Sequence, residues 1–214
     1  MSGPVDMLAG HSLVGTWGDA EGWSLVELAV RARPAGFDVS AVELRGVSVP
    51  LEVSDVSWDG VTLRCVTVVP SSGDREEHEL SIVAEGLVHR RLTLLDFWTL
   101  KPAAEARPNG GQEAGPIPIL KSHPLVGTWF DPVGHSRVEY TVQARAGGFD
   151  VSAIDLDDSE VFEVSGVTWD GEHLSFVVVV PSNGHRAEHE FSASGPGVIQ
   201  HRFTVTETLK RREQ

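Results

Sequence analysis

Two pairs of side chains, one in each half of this 214-residue chain, have the types and spacing to do chemistry: His78 with Arg90, and His189 with His201. Histidine titrates closest to neutrality, and arginine is a permanent cation with a planar fork of donors. Two imidazoles brought together inside a protein lower each other's proton affinity, which would poise one for proton transfer. The corresponding His78 and Arg90 would suit a carboxylate or an enolate. A satisfied core histidine, or one at an open barrel mouth, accounts for His189 and His201 more readily than proton transfer does, so these four residues are candidates for catalysis and not assignments.

Other chemistries find less support. Nine histidines are present, but none forms His-Glu-x-x-His, and no metal site is expected. The single cysteine, Cys65, cannot make an internal disulfide and sits among valines, so packing accounts for it better than nucleophilic attack. No phosphate-binding glycine loop or Gly-x-Ser-x-Gly elbow occurs.

The elements that must position these residues come in duplicate. His11-Ser12-Leu13-Val14-Gly15-Thr16-Trp17 returns as His123-Pro124-Leu125-Val126-Gly127-Thr128-Trp129, an offset of 112, as does Gly36-Phe37-Asp38-Val39-Ser40-Ala41 at Gly148. After a one-residue deletion the offset is 111, carrying Trp58-Asp59-Gly60 onto Trp169-Asp170-Gly171 and Glu77-His78-Glu79 onto Glu188-His189-Glu190. The division that follows is a first repeat over 1–101, a Pro/Gly/Ala linker over 102–122 and a second repeat over 123–214.

Within each repeat the apolar period is two. Val138, Tyr140, Val142 and Ala144 alternate with polar residues, and Val26, Leu28, Val30 and Ala32 do so in the first repeat. Asp59-Gly60 and Asp170-Gly171 are hairpin turns. The pattern predicts seven strands per repeat, near 12–18, 23–33, 36–45, 49–58, 61–70, 75–83 and 87–98 in the first. No helical stripe with start and stop signals appears. The expected fold is all-β: two tandem antiparallel meander barrels of about seven strands each. A composite barrel or sandwich drawing strands from both repeats is the alternative.

The tight turn of the last hairpin sets a register. It pairs Glu79 with Arg91 and Glu190 with Arg202 on the outer face, and turns His78, Leu80, Ile82, His189, Phe191 and Ala193 inward beside Arg90 and His201. The strand carrying Cys65 is apolar on both faces, so Val66 and Val177 are expected to pack copy against copy or subunit against subunit. Trp58 and Trp169 read as core or barrel-end residues, and Trp23 and His135 as residues near a mouth.

The formal charge of −14, with only three lysines, argues against nucleic acid and anionic membrane surfaces. No apolar run is long enough for a transmembrane helix, and no secretory signal opens the chain; a cytoplasmic protein is expected.

The Val-Gly-Thr-Trp opening of each repeat resembles the Gly-x-Trp signature of calycin barrels, the group that includes lipocalins, fatty-acid-binding proteins, avidins and nitrobindin-like proteins. The resemblance implies that Trp17 and Trp129 close one barrel end and that an arginine from near the chain end packs on such a tryptophan, with Arg91 and Arg202 as candidates. Gly18-Asp19-Ala20-Glu21-Gly22 departs from the glycine-alternating run of nitrobindin-like proteins, and no cofactor is expected. The resemblance implies a pocket for a small apolar or amphipathic molecule. Its candidate lining is Trp17, Trp23, His78, Arg90, Trp129, His135, His189 and His201. The alternatives are a cofactor-free cyclase or isomerase of a polyketide- or terpene-like substrate, and an assembly module working through its apolar outer strands.

Overall fold

The computed structural model describes residues 8, 10–20, 26–44, 47–70, 73–102, 122–134 and 136–212. Most of the expected linker, Trp23 and His135 lie outside the described residues.

The first seven strands are β1 (Gly15–Asp19), β2 (Val26–Arg33), β3 (Gly36–Glu43), β4 (Val49–Trp58), β5 (Thr62–Val68), β6 (Arg75–Ala84) and β7 (Leu87–Leu100). The next seven are β8 (Gly127–Phe130), β9 (Val138–Arg145), β10 (Gly148–Asp155), β11 (Val161–Trp169), β12 (His173–Val179), β13 (Arg186–Gly195) and β14 (Val198–Arg211). No helix occurs among the described residues. The strands form an antiparallel meander whose hydrogen-bonded order closes on itself, with an additional pairing between β7 and β14. The fold is all-β, with the duplicated two-barrel arrangement that the repeats imply.

Local chemistry explains the turns and the bends. In the β4–β5 turn Asp59 Oδ1 accepts from the backbone N–H of Val61 and Thr62, at 2.9 and 2.8 Å. Those bonds and Arg64 hold its carboxyl down at about 2. Asp170 repeats the device with Glu172 and His173. Both β4 and β11 carry a bulge at equivalent places, between Ser54 and Ser57 and between Ser165 and Thr168. The extra residue is left-handed in each, Asp55 at φ 53° and Gly166 at φ 61°.

The chain forms two compact units, and their bounds do not follow the repeats end to end. Unit 1 comprises Met1–Leu94 with Val205–Gln214, and unit 2 comprises Leu95–Thr204. The two longest strands are responsible. In unit 1 the end of β14 pairs with β1, with Trp17 opposite Arg211; the N–H of Arg211 donates to the Gly86 carbonyl, at 3.0 Å. In unit 2 the end of β7 pairs with β8, with Leu100 opposite Trp129; the N–H of Leu100 donates to the Gly197 carbonyl, at 3.0 Å. Each unit is therefore seven strands of one repeat completed by the tail of the other repeat's last strand.

This tail accounts for the glycine of the Gly-x-Trp motif. Gly15 and Gly127 sit at φ 149° and 148°, and a Cβ on Gly127 would overlap Leu100 while one on Gly15 would press on Arg211. Two apolar cores result. The first gathers Leu13, Trp17, Leu28, Val30, Leu63, Leu80, Val88 and Leu209. The second gathers Trp98, Leu125, Trp129, Tyr140, Val142, Phe149, Phe191 and Ile199. Leu209 and Trp98, each from the exchanged tail, stand at equivalent places in the two.

Candidate functional site

In unit 1 the alternation of β6 and β7 turns His78 and Arg90 inward, where they are 1 % and 0 % exposed. A buried guanidinium demands a counter-charge. Glu207, brought in by the tail of β14, supplies it: Arg90 Nε donates to Glu207 Oε2 at 3.1 Å and Nη2 closes on the same oxygen. His78 Nε2 lies 2.8 Å from the Thr67 hydroxyl and 3.5 Å from Glu76 Oε2. Burial, with Arg90 nearby, holds the imidazole down at about 3, so it is neutral at physiological pH. Burial likewise raises Glu76, with Arg90 opposing it, and pushes the Cys65 thiol up to about 12. Two polar atoms in this setting have no hydrogen-bond partner, Arg90 Nη1 and His78 Nδ1.

Unit 2 places His189 and His201 at the same positions, 4 % and 3 % exposed. Their rings are nearly parallel with centroids 5.2 Å apart, and His189 Nδ1 lies 2.9 Å from His201 Nε2, which sets the two imidazoles edge to edge. His201 Nδ1 approaches Asp96 Oδ1 at 3.0 Å, without the alignment of a hydrogen bond. At the other end His189 Nε2 is 3.5 Å from the Tyr140 hydroxyl. Burial, reinforced by His201, holds His189 well below the ordinary histidine range. Burial, with Asp96 adding to it, raises the Tyr140 phenol.

The two networks are equivalent under the repeat. Arg90 corresponds to His201, and Glu207 to Asp96, so each buried base or cation meets an acid contributed by the exchanged strand. The surroundings differ. Unit 2 packs Tyr140, Phe176 and Phe191 around its histidines, with Phe176 to Phe191 centroids at 5.0 Å and Phe191 to His201 at 5.1 Å. In unit 1 those three positions are Leu28, Cys65 and Leu80. The layer filled by rings in one unit is lined by smaller side chains in the other.

At one end of each unit a ring trio recurs. His11, Phe37 and Trp58 meet with centroids at 5.2 to 5.3 Å, and His123, Phe149 and Trp169 at 5.0 to 5.4 Å. Trp17 and Trp129 are fully buried, and each indole N–H donates to a backbone carbonyl, of Leu13 and Leu125. The arginine over Trp17 is Arg211, 5.1 Å from the ring centroid. Arg91 lies instead on the exposed face, 3.9 Å from Glu79, and Arg202 is exposed. The expectation for those two arginines is corrected because the segment opposite Trp17 is the tail of β14, and the segment opposite Trp129 is the tail of β7, where Leu100 stands. Ile82 and Ala193, read as inward, are exposed near the strand ends. Val66 is buried at 6 %, and Val177 is half-buried.

Arg211 also lines a surface cleft of about 400 Å³ with Gly10, His11, Ser12, Val14 and Glu85. A smaller one, about 150 Å³, is lined by Thr128, Glu139, Thr141, Ser152, Ala153, Ile154 and Val161. Among the described residues no group of three or more His, Cys, Asp and Glu side chains converges as metal ligands would.

Sequence reasoning missed Glu207 and Asp96, although each shares the alternation parity of His201 or Arg90, six residues further along β14 or β7. Six residues of strand span about 20 Å, so neither acid can serve the base on its own strand. Their partners emerge only once the strand tails are exchanged. Scans against family models and searches of curated proteins and solved structures found no match to this chain.

Proposed function

We propose that the chain is a binding protein for a small amphipathic molecule, held inside the barrel of unit 1. The observation that carries this reading is the pair of unpartnered buried atoms, Arg90 Nη1 and His78 Nδ1. Buried polar groups in proteins are almost always hydrogen-bonded, and leaving a charged donor unmatched is costly. A guest that offers them hydrogen bonds removes that cost. The wall around them is apolar, with Leu28, Leu63 and Leu80 fully buried, which suits the hydrocarbon part of such a guest. Replacement of the three rings of unit 2 by Leu28, Cys65 and Leu80 gives the same reading from volume. The Gly-x-Trp strand and Arg211 stacked on Trp17 support likeness to calycin barrels, whose interiors hold such molecules.

The test restores the rings. Fluorescence titration with dansyl-labelled undecanoic acid and its primary amide is expected to show one site per chain for at least one probe. The double variant Cys65→Phe/Leu80→Phe should weaken that binding by roughly tenfold or more, about 1.4 kcal/mol. No binding to the wild type, or equal binding to the variant, would refute the proposal.

A further inference from the structure

The charges around Arg90 constrain the polar group of the guest, an inference that rests on the reading of unit 1 as the binding site. The ionisable groups gathered there are Arg90, Glu207, Glu76, His78 and Cys65, with Glu43 acting on Glu76 from further off. The thiol and the imidazole are held neutral by burial. One fixed cation therefore faces two carboxyl groups. Glu207 already takes two of the guanidinium's three nitrogens, Nε and Nη2, on a single oxygen. The remaining nitrogen, Nη1, can only donate, so the guest must present an acceptor.

A carboxylate would be such an acceptor, but it would add a second full negative charge beside Glu207 with Glu76 close by. Like charges in a desolvated site repel strongly, and the one cation is already matched. A carbonyl oxygen accepts the same hydrogen bond without adding charge. We infer that unit 1 selects a neutral carbonyl-bearing amphipath, such as an amide, ketone or ester, over the corresponding carboxylate. The acid that imposes this choice, Glu207, comes from the last strand of the second repeat, so the exchanged tail sets specificity as well as closing the barrel. The carboxylate or enolate that His78 and Arg90 suggest by themselves gives way to a neutral carbonyl once Glu207 is in place.

The amide and acid probes differ in charge and hardly in hydrocarbon, which separates this effect from burial. At about pH 8, where the free acid is ionised, the amide is expected to bind at least roughly tenfold more tightly than the acid. Glu207→Gln removes the competing charge and leaves Arg90 open, so it should shift the amide-to-acid preference toward the acid by roughly tenfold or more. Glu76→Gln, which leaves the Arg90–Glu207 pair intact, should shift the preference in the same direction and serves if the first variant does not fold. A wild type that binds the acid as well as or better than the amide would overturn the inference while leaving the binding function standing. So would a preference that neither variant moves. Failure of both probes to bind would overturn the binding function itself.

Discussion

His78 and His189 occupy the same place in the two repeats and are both held neutral by burial, with Arg90 and His201 respectively adding to the effect. That has a thermodynamic consequence. In the unfolded chain each imidazole takes up a proton as pH falls through its ordinary value of 6.5, while the folded site resists protonation. The unfolded state then binds more protons, so these two groups make stability fall as pH drops below that value. For His78 the loss continues to about pH 3, where the folded state is protonated too. Each histidine contributes a slope of up to about 1.4 kcal/mol per pH unit. Urea unfolding across this range should show the decline, and His78→Gln/His189→Gln should flatten it. A slope unchanged by the double substitution would show that neither imidazole is held neutral by the fold. At this scale the sequence was informative: strand alternation and duplication place His78, Arg90, His189 and His201 inside. It could not identify Glu207, Asp96 or Arg211 as their neighbours, because those contacts join residues more than a hundred positions apart or from opposite repeats.

The elements were legible as strands from alternation and from the Asp-Gly turns, whose carboxylates cap the bends at Asp59 and Asp170. What alternation could not show is which barrel a strand serves along its length. At 14 residues, β7 and β14 span about 46 Å, more than twice a typical strand, and that length is the physical signal of a strand shared between two units. The exchange predicts a displaced effect. Trp98 lies in the first repeat but packs at 5.2 Å from Tyr140 and 4.8 Å from His201. Trp98→Ala should therefore cost unit 2 about 3–5 kcal/mol. Hydrogen exchange resolved by segment should show lost protection in β8 to β13, with β2 to β6 holding theirs. Loss confined to β2 to β6 would mean that the tail of β7 belongs to its own repeat.

For the molecule as a whole, the two repeats give units with equivalent strand pairing and unlike interiors. Unit 2 fills its central layer with aromatic rings, and unit 1 keeps leucine and cysteine there around a buried guanidinium. The formal charge of −14 is consistent with a site that does not seek anions. The duplication was plain in the sequence, but the divergence in role was not, because the exchanges of Tyr140 for Leu28 and Phe176 for Cys65 acquire meaning only when both are known to face the same layer.

The central claim, that unit 1 encloses a small molecule, is tested most directly by native mass spectrometry of the protein as purified from cells, followed by denaturation and extraction of what is released. The account predicts one non-covalent adduct per chain in the wild type, neutral and carbonyl-bearing on extraction, and none in Cys65→Phe/Leu80→Phe. A wild-type chain that flies without an adduct, or an adduct that persists unchanged in the double variant, would contradict it.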